Sequence, residues 1–265
     1  MENYFQFGRN EYAHKITDTP KLNERSNFYK HTHLNNELFY FLSGDAKLIT
    51  ERGTYLLHPG DVFYIPSKQY HFVVINADTP YERIVINFFS DEQIAKLPEQ
   101  PNVLSANFSK SSDIHYLFLR FETYEENFKG WQFERLANNC LFELLSFYME
   151  KVHPHESSEN SSAEKVLIAA IEYINAHLAS VKDIQEVASA VFVSCPYLYQ
   201  LFQKHLHISP KKFITAKRLA LAHEMILSGK SPLVSCNQCG YKDYSTFYRA
   251  YYTMFGHAPS ASRQS

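Results

Sequence analysis

Three histidines and one glutamate in the first third of the chain have the types and spacing of a ligand-binding cluster. His31 and His33 are two residues apart, so both side chains would point to one face of a β-strand. Glu37 follows four residues later, and His71 is the fourth member. Imidazole and carboxylate groups suit iron, manganese, zinc or nickel. Without a metal, the same groups can hydrogen-bond a small polar molecule or one another.

Two segments around these residues resemble the motifs of cupin proteins. The segment from His31 to Gly44 is similar to the first cupin motif, and the segment from Gly60 to Asn76 is similar to the second. In metal-binding cupins, the resemblance implies that the positions of His31, His33, Glu37 and His71 hold one divalent metal. A metal-dependent cupin enzyme, such as an oxygenase or isomerase, is therefore one hypothesis, and a barrel that captures a small molecule without a cofactor is the other.

Aromatic residues near the cluster favour the second hypothesis. Aromatic rings cover the C–H surface of a sugar while a few polar groups hold its hydroxyls, so the expected effector is a carbohydrate. The aromatic candidates are Tyr29, Phe39, Phe41, Tyr64 and Phe72. The predicted effector site comprises His31, His33, Glu37, Phe39, Tyr64 and His71.

The elements that would position this cluster form a β pattern from Phe28 onward. Short apolar runs are separated by turn residues, which is typical of an antiparallel barrel or sandwich. The predicted strands are 37–42, 46–50, 54–57, 62–65, 71–76 and 82–89. Residues 1–27 are expected to be an irregular arm with one strand or none, and residues 90–110 an irregular connector.

Two amphipathic helices are predicted to follow, one from Asp113 to about Gly130 and one from Trp131 to Tyr148. Their apolar faces can pack on the barrel alone or also pair across the two-fold axis of a homodimer. The polar, proline-containing segment 153–162 is predicted to be a linker. The predicted domains are thus a barrel (1–110), a helical pair (111–152), the linker (153–162) and a helical domain (163–265).

Two helix-turn-helix patterns occur in the helical domain. In the first, Asp183 precedes a short helix, and Ser194 and Pro196 begin a second helix. The predicted inward side chains of that helix are Tyr197, Leu198, Leu201 and Phe202. In the second pattern, a short helix over 233–239 is followed by Gly240 and a helix capped by Asp243. Such motifs place their second helix in the DNA major groove, and an ordinary helical hairpin is the alternative.

The stretch from about Ala163 to Arg263 resembles the AraC/XylS family of transcription regulators. The matching residues include Ser209-Pro210-x-x-Phe213, Arg218-Leu219-x-x-Ala222, Gly240-Tyr241-x-Asp243-x-Ser245-x-Phe247-x-Arg249 and Phe255-Gly256-x-x-Pro259. Four positions depart from the family pattern. His207 replaces a usual glycine, Pro232 an apolar residue, Ser235 a buried isoleucine and Ser262 an aromatic residue. The resemblance implies a DNA-binding regulator whose barrel binds a small molecule and whose helical pair often forms the dimer contact.

Side chains that point away from the cores of the two recognition helices would meet DNA. Gln200 can pair with adenine, Tyr199 can touch a thymine methyl or a phosphate, and Arg249 suits guanine or phosphate. By position in the family, Ser194 and three lysines are expected to touch the DNA backbone. The complete predicted set is Ser194, Cys195, Pro196, Tyr199, Gln200, Gln203, Lys204, Lys211, Lys212, Lys242, Tyr244, Ser245, Tyr248 and Arg249.

Charge is divided unevenly along the chain. Residues 163–265 carry 11 Lys and Arg against 6 Asp and Glu, whereas residues 1–162 carry 15 against 22. A basic part beside an acidic part is expected when only one domain meets phosphate. The absence of a long apolar run and of a signal pattern predicts a cytoplasmic protein with no membrane partner. Cys236 and Cys239 have redox-motif spacing, but core packing is the favoured interpretation.

The sequence therefore predicts an α+β multidomain chain: a cupin-like antiparallel β-barrel with a helical dimerisation pair, followed by an all-α double helix-turn-helix domain. The predicted function is a homodimeric, non-enzymatic regulator that binds promoter DNA and responds to a small-molecule effector, a carbohydrate. RNA polymerase is a further partner that this hypothesis allows. A redox sensor would require Cys236 and Cys239 to be exposed.

Overall fold

The computed structural model describes residues 2–17, 35–75, 80–89, 97, 102–104, 113–151 and 161–263. Residue contacts divide the chain into two units, one built from most of residues 1–157 and one that contains residues 158–265. The N-terminal unit contains the β-strands and the first two helices, and the C-terminal unit contains the remaining helices. No helix in these described ranges is both long and apolar enough to cross a membrane.

The strands of the N-terminal unit form two antiparallel sheets of a cupin-like fold. They are β1 (Glu2–Phe7), β2 (Asn10–Thr17), β3 (Asn36–Ser43), β4 (Ala46–Thr50), β5 (Gly53–Leu56), β6 (Val62–Ile65), β7 (His71–Ile75), β8 (Tyr81–Phe88) and β9 (Asn102–Leu104). One sheet has the strand order β1-β2-β8-β3-β6-β9, and the other has the order β5-β4-β7. The six strands predicted between residues 37 and 89 are all present. Each predicted strand end lies within one residue of the observed end.

The prediction of mainly irregular structure for residues 1–27 and 90–110 is wrong for the described parts of these segments, which contain β1, β2 and β9. β1 and β2 form a hairpin whose two-residue turn contains Gly8, with φ +61°. β2 then pairs with β8, from Glu11↔Asn87 to Thr17↔Tyr81. Because these strands are extended by their partners in the sheet rather than by strong apolar alternation of their own, the sequence pattern underestimates them.

Alternation along β3 divides the N-terminal core into two layers. Leu38 and Tyr40 point to one side and join the cluster that includes Ile84, Ile86 and the first two helices. Phe39 and Phe41 point to the other side and join the cluster that includes residues of β4, β6 and β7. The second layer lies between the two sheets, where a cupin-like fold can enclose a ligand.

Two helices, α1 (Ile114–Asn127) and α2 (Gly130–Lys151), pack on the outer face of the six-stranded sheet. Tyr12 Oη donates a hydrogen bond of 2.9 Å to Glu122, and Tyr40 Oη lies 2.7 Å from His115 Nδ1. The main apolar faces of the helical pair are thus covered by its own sheet. Tyr116, Trp131 and Phe142 remain exposed, so a dimer contact through the pair stays a prediction.

The C-terminal unit consists of short capped helices around one long helix. The helices are α3 (Ser162–Ala176), α4 (Ile184–Ala190), α5 (Cys195–Leu206), α6 (Pro210–Leu227), α7 (Pro232–Gln238) and α8 (Tyr244–Phe255), followed by a 3-10 turn (Ala261–Arg263). Residues 153–160 of the predicted linker (153–162) lie outside the described residues, and its last two residues belong to the start of α3, where Ser161 is the N-cap and Ser162 the first helical residue. The α4–α5 and α7–α8 pairs are the two predicted helix-turn-helix motifs, and α6 connects them.

Candidate nucleic-acid interface and effector site

The first helix-turn-helix motif is organised by side chains that cap its helices. Asp183 accepts a hydrogen bond from the Glu186 backbone N–H, and the Ser194 hydroxyl accepts one from the Tyr197 N–H. Pro196 occupies the first turn of α5, where its missing N–H costs no helical hydrogen bond. Four buried apolar side chains hold α5 against the unit: Leu198, Leu201, Phe202 and Leu206.

The opposite side of α5 presents the predicted DNA-contacting residues. Tyr199, Gln200, Gln203 and Lys204 are all exposed, and Cys195 is partly buried. The prediction that Tyr197 faces inward is wrong, because its relative exposure is 40%. Tyr197 lies at the edge of the buried stripe, where periodicity alone does not distinguish a core position from a flanking one.

The second motif repeats the same construction. Asp243 caps α8 by accepting a hydrogen bond of 2.7 Å from the Thr246 N–H, and Phe247 and Tyr251 are its buried anchors. Tyr244, Ser245, Tyr248 and Arg249 are exposed, as predicted. Because both second helices have free polar faces and buried apolar stripes, each has the form of a recognition helix.

The long helix α6 carries two predicted DNA contacts, Lys211 and Lys212, close to its start. Ser209 caps it by accepting from the Lys212 N–H, and Lys211 and Lys212 are exposed. These lysines line an open groove of about 810 Å³ together with Arg249 of α8. The groove also contains Thr215, Ala216, Leu219, Thr246, Ala250, Thr253 and Met254. The structure thus brings three cations from two helices, α6 and α8, to one surface, which suits a phosphate backbone. Lys242, on the turn before α8, is exposed as well.

The turn at residues 178–181 joins the two motifs through Arg218 and Gly240. Arg218 donates hydrogen bonds to the carbonyl oxygens of Leu178 and Val181, at 2.8 and 2.7 Å. Burial lowers the pKa of this guanidinium group. Gly240 has φ +83°, and its Cα lies against the backbone of Ala179. Neither contact was anticipated from the sequence, although both residues belong to the matching pattern.

The four departures from the family pattern are accommodated locally. His207 adopts the left-handed conformation, with φ +51°, that the usual glycine would favour, and Pro232 lies in the first turn of α7. The Ser235 hydroxyl donates to the Ser231 carbonyl at 3.1 Å. Ser262 Oγ lies 2.7 Å from Tyr251 Oη.

Tyr251 also contacts His223 in the core of the second motif. The Tyr251 hydroxyl is hydrogen-bonded to His223 Nδ1, and the His223 ring stacks on Phe255 with ring centroids 4.3 Å apart. Burial and the nearby His257 lower the pKa of His223 to about 4. The neutral imidazole that results is suited to this mainly aromatic core.

Phe192, in the turn of the first motif, combines backbone strain with almost complete exposure. Its φ is +58° and its relative exposure is 95%. A left-handed conformation costs a bulky residue about 1–2 kcal/mol, and an exposed ring recovers little of that by packing.

Replacing Phe192 with asparagine should therefore stabilise the C-terminal unit by about 0.5–1 kcal/mol, because asparagine tolerates this conformation. Urea unfolding of the full chain, followed by far-UV circular dichroism, measures the change. Asparagine at Phe128, which is 38% exposed and has an extended backbone, is the control and should give no gain. Destabilisation by Phe192→Asn would show that the ring makes a contact that stabilises the fold.

The layer between the two sheets of the N-terminal unit contains the described part of the predicted effector site. Glu37, Phe39 and His71 are buried there, and Glu37 Oε2 lies 3.6 Å from His71 Nε2. His31 and His33 lie outside the described residues. No group of three or more His, Cys, Asp or Glu side chains with the geometry of a metal site occurs in the described part of the chain.

Tyr64 does not belong to this layer, which corrects its assignment to the effector site. Its side chain points to the helix-covered face of the sheet, where its ring lies near Phe88 and Tyr148. Its hydroxyl donates to Asn36 Oδ1 at 2.9 Å. Residues 63 and 65 of β6 face the layer, so Tyr64, one position between them, faces away.

Two polar residues of β8 face the same layer and were missed by the sequence interpretation. Asn87 pairs with Glu37 and Arg83 pairs with Phe41, so both side chains share the face of Glu37 and Phe39. Asn87 Oδ1 is buried and receives no hydrogen bond from the described residues. In the sequence, Arg83 and Asn87 are polar, whereas Ile84, Ile86 and Phe88 are apolar. This period of two is the signal that places Arg83 and Asn87 on the opposite face of β8 from the isoleucines.

The cysteines of α7 are core residues. Cys236 and Cys239 are fully buried, and burial raises the pKa of the Cys239 thiol to about 11. A redox-active thiol must be accessible and readily ionised. The redox hypothesis for this pair is therefore wrong, and the core-packing interpretation is confirmed.

Comparison with known proteins agrees with this arrangement. Residues 187–265 match the helix-turn-helix domain family, and residues 22–87 match the cupin domain family. The Msm operon regulatory protein of Streptococcus mutans is 24% identical over 236 residues, which cover 87% of this chain and 84% of that protein. The raffinose operon transcriptional regulatory protein RafR of Pediococcus pentosaceus is 23% identical over 220 residues, or 79% of this chain and 77% of that protein.

A solved structure, that of ToxT from Vibrio cholerae, aligns with 96% of this chain and 97% of its own at 13% identity and a TM-score of 0.42. The domain matches cover the sheet-forming and helix-turn-helix segments separately and in the same order as the two units of the fold. The relatives that align over most of the chain are named as regulatory proteins. The chain is therefore a transcriptional regulator with a cupin domain followed by a helix-turn-helix DNA-binding domain, the arrangement that the resemblance to the AraC/XylS family predicts.

Proposed function

We propose that this regulator binds promoter DNA sequence-specifically through α5 and α8 and responds to a carbohydrate held between the two sheets of its N-terminal unit. The observation that supports DNA reading is the pair of capped helices whose polar sides are exposed while their apolar sides are buried. The lysines at the start of α6 supply cations beside α8. Base edges would be read by α5 and α8, and phosphates would be bound by the lysines.

Binding of the full chain to fluorescent DNA from upstream of its own gene and the neighbouring genes tests this proposal. Specific binding is expected to resist an excess of unrelated DNA, and its affinity should fall steeply as salt increases. Equal affinity for promoter and competitor DNA would reject sequence-specific reading. The same assay provides the reference for each variant below.

Replacing Gln200 with alanine should relax specificity at one base pair, whereas Lys212→Ala should weaken binding to all sequences alike. Gln200 lies on the exposed face of α5 and can form two hydrogen bonds to adenine, a pair worth about 1–3 kcal/mol of discrimination. Lys212 offers only a charge, so its loss should also reduce the salt dependence by about one ion. Competition with operators changed one base pair at a time measures both effects.

Lys165→Ala is the matched control for charge removal, because Lys165 is exposed on α3 and has no predicted DNA contact. It should leave affinity and specificity close to those of the unchanged chain. If Gln200→Ala and Lys212→Ala reduce binding to every operator by the same factor, the division between base and phosphate contacts is incorrect.

The proposed effector class follows from the mixture of groups in the layer between the sheets. Glu37 and Asn87 offer oxygen acceptors, Arg83 offers N–H donors, and Phe39 and Phe41 offer apolar surface. Sugar hydroxyls can donate to the first two residues and accept from the third. The name of RafR refers to a raffinose operon, which supports testing oligosaccharides and their component sugars.

Calorimetric titration with such a panel should identify a sugar that binds the unchanged chain. Asn87→Ala should then weaken its binding about tenfold, because one hydrogen bond to a buried acceptor is lost. Asn237→Ala, an exposed asparagine of α7, is the control and should bind as the unchanged chain does. A sugar that saturates the chain without altering DNA affinity, half-site spacing or transcription would contradict its role as effector.

An effector that changes the spacing of the DNA half-sites must act on a homodimer, because that spacing is set by the placement of two copies of the chain on DNA. The exposed Tyr116, Trp131 and Phe142 on α1 and α2 are the candidate contacts of such a homodimer. Effector binding would then shift the population between two placements of the DNA-binding units. Contact with RNA polymerase remains an additional part of this hypothesis.

A further inference from the structure

The exposed surface of α8 differs chemically from that of α5. Tyrosines at positions 244, 248 and 252 are 38%, 39% and 52% exposed. Their four-residue spacing places them along one side of the helix, and this set is named the tyrosine stripe. The sequence of α8, YSTFYRAYYTMF, contains no Asn, Gln, Asp, Glu or Lys. It therefore lacks the amide and carboxylate groups that read adenine and cytosine.

Arg249, the one charged residue of α8, lies beside a different surface. It lines the groove that contains Lys211 and Lys212, and its Nε donates to the Ser245 carbonyl at 3.4 Å. The residues of α8 in that groove are Thr246, Arg249, Ala250, Thr253 and Met254, and the tyrosine stripe is absent from it. Arg249 is therefore grouped with the phosphate-binding lysines, which leaves the stripe as the main other surface of α8.

The rings of the stripe are ordered by contacts with one another. Tyr244 lies near Tyr248, and Tyr248 is stacked with Tyr252, with ring centroids 6.4 Å apart in both pairs. Tyr244 also packs against buried Phe247 at 5.7 Å. Rings that are held in place before binding lose little conformational entropy when they meet a partner. An ordered aromatic face presents apolar surface, and in the major groove the apolar feature of a base pair is the thymine 5-methyl group.

We propose that α8 reads its half of the operator chiefly through thymine methyl groups that pack on Tyr244 and Tyr248, with Tyr252 stacked behind Tyr248. This inference rests on the proposed function of α8 as a recognition helix and specifies the base chemistry of its half-site. One helical turn separates the two contacting tyrosines by about 6 Å. Thymines about two base pairs apart, at 3.4 Å per step, match that separation.

Replacing thymine with deoxyuridine tests this inference, because it removes the methyl group and leaves base pairing and the hydrogen-bonding edges unchanged. The half-site whose specificity Gln200→Ala relaxes belongs to α5, so the other half-site belongs to α8. Deoxyuridine in the α8 half-site should weaken binding of the full chain about fourfold for each contacted methyl. Tyr248→Ala should remove the sensitivity at one thymine, whereas Tyr248→Phe, which keeps the ring, should retain it.

The possible outcomes separate this inference from the proposal on which it rests. If the unsubstituted operator is not preferred over competitor DNA, sequence-specific binding itself is rejected. If the operator is preferred but deoxyuridine in the α8 half-site binds as tightly as thymine, methyl reading is overturned while DNA binding stands. Methyl reading is also overturned if Tyr248→Ala weakens thymine and deoxyuridine operators by the same factor. Circular dichroism of each variant verifies that α8 is folded.

Discussion

Replacing Gly240 with alanine should destabilise the C-terminal unit by about 3 kcal/mol, the sum of a left-handed backbone cost and an overpacking cost. A Cβ at this position would overlap the Ala179 carbonyl oxygen and lie 2.9 Å from its carbonyl carbon. Both partners are backbone atoms, so no side-chain rotation relieves the overlap. The turn between α7 and α8 would have to move away from Ala179.

Gly256→Ala is the matched control for the Gly240 prediction. Gly256 also has a positive φ, +75°, but a Cβ there would meet nothing within 4 Å. It should therefore show only the backbone cost of about 1 kcal/mol. Equal destabilisation by the two substitutions would show that contact with Ala179 does not contribute.

The chain contains its own internal reference for this measurement. Its single tryptophan, Trp131, lies in α2 of the N-terminal unit. The denaturant midpoint measured by tryptophan fluorescence should be the same in Gly240→Ala as in the unchanged chain. The midpoint measured by far-UV circular dichroism, which reports the helices of the C-terminal unit, should move to a lower denaturant concentration. A shift of both signals would place the effect outside the C-terminal unit.

Replacing Arg218 with alanine should destabilise the same unit by about 2–3 kcal/mol, because two charge-assisted hydrogen bonds are lost. The guanidinium group donates to Leu178 and Val181 from one side of α6. Without it, the two carbonyl oxygens lose their donor and the 178–181 turn loses its attachment to the long helix. Lysine at this position should restore little of the stability, since one ammonium group cannot reproduce the forked geometry.

Arg249→Ala should show the reverse of Arg218→Ala: little change in stability but weaker DNA binding. Arg249 is exposed on α8, so its loss should change stability by less than about 0.5 kcal/mol. It should nevertheless weaken DNA binding, because Arg249 belongs to the cationic groove. Thermal unfolding and DNA titration of both variants compare the two roles. If Arg218→Ala is as stable as Arg249→Ala, the proposed stabilising role of Arg218 is incorrect.

Much of the C-terminal unit was predictable because its signals are local. Ser194, Ser209 and Asp243 each accept a hydrogen bond from a backbone N–H three residues ahead, and such caps can be recognised from short stretches of sequence. Helical spacing likewise located three buried residues of α5, Leu198, Leu201 and Phe202, and it failed only for Tyr197 at the edge of the stripe. The motifs and their order therefore followed from residue type and spacing.

The N-terminal sheet was predictable where its strands alternate strongly. The predicted bounds of β4 and β6 agree with the structure, since apolar runs between turn residues define them. The bounds of β1, β2 and β9 were not predicted. β2 and β9 depend on pairing with β8 and β6, which are distant in sequence, and β1 depends on its hairpin with β2.

By itself, the sequence determined the family resemblance, the two-part organisation, the helix caps and the candidate DNA-reading faces. Only the tertiary structure decided which strand faces meet between the sheets, and so removed Tyr64 from the effector layer and added Arg83 and Asn87. It also brought Lys211, Lys212 and Arg249 to one groove and placed Gly240 against Ala179. These decisions depend on contacts between distant segments, and local residue spacing cannot specify such contacts.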